Sequence, residues 1–282
     1  RIRCCSDPQI SSDGERIAYV ETELLQKENR YFPRLYVSRG GTLACWAEEA
    51  KHPRWAGDSL YYLGGGPSGF QVFRQEEGLP PCQITSFPQG VQAFSLSPDN
   101  RKLCCLVMEH REQRDPQAPF PVKSLYIKED GAKGLMDPTL EGKLYLVDLQ
   151  QGQAQSLLPD HFRFTAPMWG SLEVPVWSPR GDRLAFSGRV QNDALHDKKP
   201  WQSDLYVLTL SDGEVRAVTR SDGVFQQPVW KDEETLFCFG HDNRCFRSTD
   251  LSVYEISLHG QERDLTRHHD LTLDNMCIGD TE

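Results

Sequence analysis

The chain has 282 residues, of which 38% are hydrophobic, 10% aromatic and 26% charged, and its formal net charge is -10. This composition is typical of a folded globular protein, either one large all-β domain or two ordinary ones. The acidic balance argues against nucleic acid or an anionic membrane as a partner, because binding to phosphate depends on Lys and Arg. No apolar run is long enough for a transmembrane helix, so we expect no membrane partner.

The chain contains nine cysteines. The number is odd, two pairs are vicinal, and no C-x-x-C motif occurs. Most of the cysteines stand among apolar residues with the alternation of strands, which predicts buried free thiols in a reducing compartment and hence a cytoplasmic location. No Cys/His spacing suits a zinc site, and we expect neither a metal nor a cofactor.

Self-similarity runs along the whole chain. An opening signature recurs, in which an apolar position and a Ser or polar turn precede alternating apolar residues: DPQISSDGERIAYV at 7–20, HPRWAGDSLYYL at 52–63, AFSLSPDNRKLCCLV at 93–107, VPVWSPRGDRLAFS at 174–187 and QPVWKDEETLFCF at 227–239. The polar segments have the Ser, Pro, Asp and Gly residues of tight turns. Each copy therefore predicts two antiparallel strands joined by a turn.

Two further signatures follow each opening signature. The middle signature is RLYVS at 34–38, FQVFR at 70–74, KLYLVDL at 143–149, DLYVLTL at 204–210 and SVYEISL at 252–258. The closing signature is CQITS at 82–86, AQSLL at 154–158, RAVTR at 216–220 and RDLTR at 263–267, and the first unit lacks a clear version. One unit therefore predicts four antiparallel strands, which is one blade of a β-propeller.

The repeat predicts an all-β protein with five complete blades and the start of a sixth. Their units are 7–51, 52–90, 91–172, 173–224 and 225–272, with the next blade beginning at 273–282. The period matches the 40–50 residues of propeller repeats, apart from a long third unit. Because a propeller closes on itself, and because the sequence opens on Arg1 and stops inside a strand pattern, we expect a fragment of a longer protein.

The non-repetitive segments 109–142 and 188–201 account for most of the irregular sequence. Each lies between the second and third predicted strands of its blade, so both should leave from the same end of a blade. Long loops carry function more often than core strands do. We therefore predict that contacts with a substrate or a further domain involve these two segments.

Two longer stretches, SLYIKEDGAKGLMDPTLEGKLYLVDLQQG at 124–152 and FGHDNRCFRSTDLSVYEISLHGQERDLTRHHDLTLDNMCIGD at 239–280, carry a family resemblance. Together with the repeat they resemble the N-terminal propeller of prolyl oligopeptidase-family serine peptidases, in the acylaminoacyl-peptidase branch. The resemblance implies a covalently linked C-terminal α/β-hydrolase domain that holds the family's Ser, Asp and His. It also implies short, possibly N-acylated peptides as substrates of the intact enzyme.

No catalytic residue is predicted on this chain. The nucleophile elbow G-x-S-x-G is absent, and the nearest sequence, GGGPSGF at 64–70, has Ser68 with the wrong glycine spacing. The resemblance therefore carries no triad residue over, and we expect the chain alone to be inactive. A non-enzymatic TolB-like binding module remains the alternative, and a propeller lyase or glycosidase is a third option.

Several local motifs have a structural interpretation that we favour over a functional one. Arg180-Gly181-Asp182 matches the turn position of the other blades rather than an adhesion motif. Adjacent side chains in a strand point to opposite faces, so His268-His269-Asp270 would suit a metal poorly, and we predict that it lies in a loop between blades. The motif His241-Asp242 predicts a turn. The remaining candidates are Trp55, Trp177 and Trp230, predicted to pack between blades, and the paired glutamates 48–49, 76–77 and 233–234, predicted to be solvated.

Overall fold

The computed structural model describes residues 3–110, 129–130, 134–135, 140–159, 162, 164–165, 173–190, 202–220, 222–242 and 251–269. Every regular element within these residues is a strand, so no helix there could cross a membrane. The strands form three four-stranded antiparallel sheets, a two-stranded hairpin, and a nine-stranded sheet in which a short strand at 164–165 joins two further four-stranded sets. These are five four-stranded blades, which confirms the all-β class and the blade architecture. We number the blades 1 to 5 in chain order.

The chain divides into two compact units, which are described separately. The first contains Arg1–Val107 with Val147–Ala154, and the second contains Met108–Leu146 with Gln155–Cys277. The first unit holds blade 1, with β1 Arg3–Ile10, β2 Arg16–Leu25, β3 Arg30–Arg39 and β4 Thr42–Glu48, and blade 2, with β5 Ala50–Ala56, β6 Ser59–Gly64, β7 Gln71–Gln75 and β8 Cys82–Gln83.

Blade 3 is divided between the two units, and blades 4 and 5 belong to the second unit. Blade 3 has β9 Ala93–Leu96, β10 Lys102–His110, β13 Leu140–Asp148 and β14 Ala154–Ser156, and its insertion contains the short hairpin of β11 Glu129–Asp130 and β12 Gly134–Leu135. Strand β15, Phe164–Thr165, pairs with both β13 and β17. Blade 4 has β16 Val176–Trp177, β17 Arg183–Val190, β18 Asp204–Thr209 and β19 Val215–Ala217, and blade 5 has β20 Gly223–Trp230, β21 Thr235–Asp242, β22 Ser252–Ser257 and β23 Glu262–Asp264.

The turn between the first and second strands has the same hydrogen bonds in three blades. In blade 4 the Ser178 hydroxyl donates to Asp182 at 2.9 Å and accepts the Arg183 N–H at 3.1 Å. In blade 3 the Ser97 hydroxyl donates to Asp99 at 2.6 Å and accepts from Lys102 N–H, and in blade 1 Ser11 does the same with Asp13 and Arg16. The serine and the carboxylate satisfy turn groups that would otherwise lack partners, which is why the sequence repeats them.

A β-bulge precedes the proline of the opening signature in blades 1, 2 and 5. Asp7, His52 and Gln227 stand directly before a proline and have φ of +49°, +54° and +53°. The strand register shifts at each of these residues. Proline has no N–H for a ladder, so the bulge removes it from strand pairing without breaking the strand.

Blades 1 and 2 pack face to face within the first unit, and blades 4 and 5 do so within the second. We call the face of a blade on the side of the next blade in the chain its forward face, and the opposite face its backward face. Ala18, Leu35 and Val37 of the blade 1 forward face pack against Leu60 and Tyr62 of blade 2. The blade 4 forward face presents Ala185, Leu205 and Val207 at the same positions, and these pack against blade 5. The two interfaces therefore use the same Ala, Leu and Val on one side.

Polar contacts also repeat at these two interfaces. The Trp55 indole N–H donates to the Gln9 carbonyl at 3.2 Å, and the Trp230 indole N–H donates to the Val176 carbonyl at 3.0 Å. Each bond joins a blade to the one before it, so Trp55 and Trp230 pack between blades as predicted. Trp177 is half-buried at the matching position of blade 4.

An arginine at the start of the second strand forms a matching contact. Arg16 binds Asp58 of blade 2 at 2.7 Å, and its guanidinium lies 4.7 Å from the centre of the Trp55 ring. Arg183 binds the Glu233 carbonyl at 3.0 Å and the Glu234 carboxylate at 3.3 Å in blade 5. Arginine thus links each of these blades to the turn of the next one.

Candidate functional site at the loop edges of the blades

Each blade has one end at which the second strand connects to the third and the fourth strand leads to the next blade. We call this end the loop edge. Segment 109–142 connects β10 to β13 and segment 188–201 connects β17 to β18, so both leave from loop edges as the repeat predicted. Most residues of both segments lie outside the described part of the chain. The candidate site is therefore built here from the strand ends and shorter loops around them.

Paired charges line the loop edge of the first unit. Arg30 binds Glu49 at 2.7 Å, and Arg34 binds Glu23 at 2.9 Å and Glu48 at 3.3 Å. The hydrogen bonds that Arg34 donates to Glu23 and Glu48 hold its pKa above the usual value. Both carboxylates of the 48–49 pair thus bind arginine, and they are not directed as a pair toward a ligand amine.

The glycine-rich loop at 64–70 is packed down onto its neighbours. Its Gly65 N–H donates to the Glu49 carbonyl at 2.7 Å, and the Phe70 carbonyl accepts the Val91 N–H at 2.6 Å. Ser68 lies in the turn that Gly69 closes on Gly66 at 3.1 Å. Among the described residues no imidazole or carboxylate bonds its hydroxyl, so the structure gives Ser68 no base with which to act as a nucleophile.

A half-buried carboxylate, Glu173, joins two blades at the loop edge of the second unit. It accepts the Gln227 N–H at 2.8 Å and the Ser187 hydroxyl at 3.2 Å. Burial raises the pKa of Glu173, and these hydrogen bonds only partly oppose the effect. Its contacts fix the backbone at the bulge of blade 5, which is a positioning role.

A second half-buried carboxylate, Asp204, begins the third strand of blade 4. It accepts the Thr219 hydroxyl at 3.0 Å, and the same hydroxyl accepts the Leu205 N–H at 3.1 Å. Burial raises the pKa of Asp204. Arg189, on the adjacent strand, is also buried, and burial lowers the pKa of its guanidinium.

Threonines equivalent to Thr219 cap the third strand in two other blades. Thr85 accepts the Val72 N–H at 2.9 Å, and Thr266 accepts the Val253 N–H at 3.0 Å. The closing signature contained this threonine in three of its four copies, but the sequence did not reveal its bond to the third strand. The signal that could have found it is the repeated apolar-Thr pair, because Thr can satisfy a backbone donor where the ladder ends.

The long connection of blade 3 begins beside a half-buried tyrosine, Tyr145. Tyr145 donates its hydroxyl to Glu109 at 2.8 Å, where the 109–142 segment begins. Burial, followed by the effect of Glu109, raises the pKa of Tyr145 to about 12. Tyr145 therefore remains a hydrogen-bond donor at neutral pH and holds the end of the β10 strand.

The Arg180-Gly181-Asp182 motif forms the blade 4 turn described above, with Gly181 at a φ of +73°. Its Asp182 carboxylate accepts the Ser178 hydroxyl inside that turn. The interpretation as a structural turn is confirmed.

The other paired glutamates also bind basic side chains: Glu76 binds Arg74, Glu77 binds Arg39, and Glu234 binds Arg183.

The histidine motifs differ in their outcome. His241 and Asp242 continue strand β21 and pair with Val224 and Gly223, so the predicted turn at these residues is wrong. The ladder of blade 5 extends further than the polar sequence indicated, because backbone pairing overrides the local turn preference. His268 and His269 are exposed in a turn that His269 N–H closes on Thr266, and Asp270 lies outside the described residues. No group of three potential metal ligands occurs among the residues the structure describes.

Cysteine burial is also mixed. Cys104, Cys105 and Cys238 are buried, whereas Cys4, Cys5, Cys45 and Cys82 are exposed, and all seven are free thiols. The prediction that most thiols are buried is therefore wrong for the described chain. Most residues of β1, β4 and β8, which carry the four exposed cysteines, are exposed. Cys245 and Cys277 fall outside the described residues.

Comparisons with known proteins agree with this architecture. No family model matches the chain. The chain is 27% identical over 224 residues to the uncharacterized peptidase YuxL of Bacillus subtilis (strain 168), a match that covers 72% of this chain and 32% of that protein. The chain therefore spans about a third of the length of this curated relative.

Solved structures give the fold. Acylaminoacyl peptidase of Pyrococcus horikoshii superposes with a TM-score of 0.69 at 17% identity, covering 95% of this chain and 40% of that one. The β-propeller domain of the Trilobed protease from Pyrococcus furiosus has a TM-score of 0.60 at 14% identity, covering 96% and 74%. The chain has the fold of a β-propeller. A TolB structure from Agrobacterium tumefaciens is also similar to it, with a TM-score of 0.52 at 13% identity and coverage of 93% and 80%.

The described residues at the loop edges of this propeller contain no assembled acyl-transfer site. Glu173, Asp204 and Tyr145 have hydrogen-bond partners that hold backbone or neighbouring strands. These contacts fix the strand ends from which the long segments leave.

Proposed function

We propose that the chain is the propeller portion of a serine peptidase of the prolyl oligopeptidase family that acts on short peptides, including N-acylated ones. The observation that carries the proposal is the similarity to a peptidase over 72% of this chain but only 32% of the relative. The structural match to acylaminoacyl peptidase likewise covers only 40% of that chain. Both matches support a propeller that accompanies a second, catalytic domain.

Under this proposal the chemistry resides in a C-terminal α/β-hydrolase domain. A Ser nucleophile, a His base and an orienting Asp there perform acyl transfer, which needs no cofactor. The propeller restricts access, so that folded proteins are excluded and short chains enter. Segments 109–142 and 188–201 suit contacts with that domain, because both leave from loop edges.

A fluorophosphonate probe and an acyl-peptide substrate test whether catalysis resides in a domain outside residues 1–282. Purified residues 1–282 should neither hydrolyse acetyl-alanyl p-nitroanilide nor acquire the fluorophosphonate label. The polypeptide extended into a G-x-S-x-G domain should do both, and replacing the elbow serine by alanine should abolish both. Stoichiometric labelling of residues 1–282 would overturn the proposal.

Access control needs a separate measurement. The intact enzyme should cleave acetylated peptides of about 3–10 residues and leave a folded protein with the same acetylated N-terminus uncut. The same N-terminal sequence, released as a peptide, is the matched control. Equal cleavage of the folded and released forms would exclude the gating role and leave the peptidase assignment intact.

A TolB-like binding module is the second candidate. The chain spans 80% of the TolB structure, a larger share than of the peptidases. Such a module would carry no hydrolase domain after its blades. The coding sequence beyond residue 282 distinguishes the two, because further blades followed by G-x-S-x-G support the peptidase and an early stop codon supports the module.

A further inference from the structure

A cleft of about 220 Å³ lies between blades 4 and 5, both of which belong to the second unit. It is found at the end of the blades opposite the loop edge, where the first strand turns into the second and the third into the fourth. Thr209, Glu214 and Arg216 of blade 4 line one wall, and Glu234 and Leu258 of blade 5 line the other. The cleft is therefore separate from the loop edges, at which the long segments leave.

The cleft exists because a long side chain of the first unit is replaced by a short one. In blade 1, Arg39 pairs with Arg16 at the start of the second strand. Thr209 has the same pairing with Arg183 in blade 4. Arg39 reaches across to blade 2 and binds Glu77 at 2.9 Å. A threonine is too short for such a bridge, so space remains at its position.

The acidic partner in this bridge is also replaced. Glu77 lies two residues after the residue of β7 that pairs with Leu60. Leu258 lies two residues after the residue of β22 that pairs with Leu236, the equivalent of Leu60 in blade 5. The ion pair of the first unit is thus replaced by an uncharged residue and an apolar one, and the cleft has room for a ligand.

Two charged side chains of the cleft are available to a ligand. Glu214 and Arg216 are exposed, and neither side chain has an ion pair or a hydrogen bond within the described part of the chain. They are two residues apart, so both lie on one face of the fourth strand. Arg216 pairs with Val207, which packs against blade 5, so this face is the forward face. Arg183 and Glu234, in contrast, bind each other at 3.3 Å.

The balance of charge in the cleft favours a zwitterion. Arg183 and Arg216 are matched by Glu214 and Glu234, so a ligand with a net charge would leave an excess of one sign. A guanidinium binds a carboxylate through two parallel hydrogen bonds, and a carboxylate binds an ammonium group. The unpaired Arg216 and Glu214 can make these two contacts.

The size and the apolar part of the cleft restrict the ligand further. Val207 and Leu258 are only 3% and 4% exposed and form the apolar part of the lining. The volume of about 220 Å³ is below the range of about 300–1,000 Å³ that is usual for pockets enclosing drug-sized molecules. These features fit a single amino acid with an aliphatic side chain.

We propose that the cleft between blades 4 and 5 binds a free aliphatic α-amino acid. Arg216 binds the carboxylate of the ligand, with the Thr209 hydroxyl as a further donor, and Glu214 binds the ammonium group. The aliphatic side chain packs on Val207 and Leu258. Because both blades hold the ligand, its binding stabilises their interface.

Calorimetric titration of the full-length polypeptide with L-valine tests the proposal. We expect one site per chain with a Kd of about 0.1–1 mM, which is ordinary for a ligand of so few atoms. N-acetyl-L-valine lacks the ammonium group and L-valinamide lacks the carboxylate, so each should bind at least about 10-fold more weakly. Absence of valine binding, or equal binding of either analogue, overturns the proposal.

Two variants and a control locate the site. Arg216→Gln removes the carboxylate partner, and Thr209→Arg places a long side chain in the cleft. Each should weaken valine binding at least about 10-fold. Because Arg216 is exposed and Thr209 is only half-buried, both variants should fold. Arg101→Gln, which replaces an exposed arginine at the blade 3 turn, should leave the Kd unchanged. A Kd that Arg216→Gln does not alter overturns the proposal.

Treatment with a fluorophosphonate separates this cleft from a peptidase active site. The proposal does not rest on peptidase activity, because every group that it uses lies on blades 4 and 5. Protein treated with the probe should therefore bind L-valine with an unchanged Kd. Loss of valine binding after labelling would place the amino acid in the active site, which overturns the cleft proposal and supports the proposed function. Unchanged valine binding by a full-length protein that the probe never labels would count against the proposed function alone.

Discussion

Single hydroxyl groups have a clear structural role in this propeller. Thr219 links the closing signature of blade 4 to its third strand by accepting the Leu205 N–H and donating to Asp204. Thr85 and Thr266 make the equivalent backbone bond in blades 2 and 5. The threonine thus satisfies a strand N–H at the point where ladder pairing to the fourth strand ends.

Replacing Thr219 by valine should therefore destabilise the fold. The change keeps the shape of the side chain but leaves a buried N–H and the Asp204 carboxylate each without one hydrogen bond. We expect a loss of about 1–3 kcal/mol in the free energy of unfolding, measured by urea denaturation. Thr219→Ser retains the hydroxyl and should lose less than about 1 kcal/mol, so an equal loss in both variants would contradict the hydrogen-bond explanation.

Glu173 provides a prediction on pH. Its pKa is raised by burial, so the folded state binds the proton more tightly than the unfolded state and the ionised form lowers stability above the folded-state pKa. Glu173→Gln can still accept the Gln227 N–H and has no charge to bury. We expect it to be more stable than the wild type at pH 7, by about 1 kcal/mol or less.

The stability gained by Glu173→Gln should shrink as the pH falls from the raised pKa toward 4.5, the usual value for the side chain. Urea denaturation at a series of pH values between about 7 and 4 measures this difference. A difference that grows as the pH falls would show that burial is not the dominant cause.

At the scale of elements, the sequence predicted the presence of turns and strands better than it predicted the residues at which strands end. Ser, Asp and Gly predicted the turn at 178–182, because their side chains satisfy the turn from within. His241 and Asp242 looked like a turn but belong to β21, since pairing with β20 compensates their low strand preference. Inter-blade residues such as Arg16 could not be recognised, because the partner, Asp58, lies in another repeat unit.

Glycines in two loops allow a matched comparison between backbone strain and steric contact. Gly14 and Gly90 have φ of +74° and +75°. A Cβ on Gly14 meets nothing within 4 Å, whereas a Cβ on Gly90 would lie 2.9 Å from the Ser68 carbonyl oxygen. Gly14→Ala should cost about 1 kcal/mol of unfolding free energy, from the positive φ alone.

Gly90→Ala should cost distinctly more, about 2–4 kcal/mol, because the Cβ also collides with backbone of the packed 64–70 loop. Thermal unfolding of both variants measures the difference. Equal losses would mean that the 64–70 loop moves away freely, which would contradict its tight packing against Gly90.

For the whole molecule, repeated interfaces predict that stability is close to a sum of blades and their contacts. Trp55 belongs to the first unit and Trp230 to the second, and each indole bonds a carbonyl of the preceding blade. Trp55→Phe and Trp230→Phe should each cost about 1–2 kcal/mol, mainly through the lost hydrogen bond. Their combination should be additive within about 0.5 kcal/mol, measured by urea denaturation.

A pair of changes at one interface should behave differently. Arg183→Met and Trp230→Phe both alter the contact of blade 4 with blade 5, so their combined effect should deviate from the sum by more than about 0.5 kcal/mol. Additivity in both pairs would indicate that the blade interface is not a cooperative unit.

The sequence determined the fold class and the repeat because both depend on local alternation and turn chemistry. It identified Trp55 and Trp230 as packing residues because they recur at one position of the opening signature. The half-buried carboxylates at the loop edges, such as that of Glu173, were not identified from the sequence, because their environment depends on contacts between units of the repeat. The exposed cysteines were misjudged for the same reason: alternation shows which residues share a face but not whether that face is covered.

The head-to-tail blade interface, with Ala, Leu and Val on one side and an aromatic or leucine surface on the other, has an evolutionary consequence. Blades 1 and 4 carry the same Ala, Leu and Val face, so a duplicated gene segment of this kind encodes a blade whose forward face already fits a following blade. Blade number in such a lineage can then change by recombination within the gene, without any new complementary surface having to arise by point mutation.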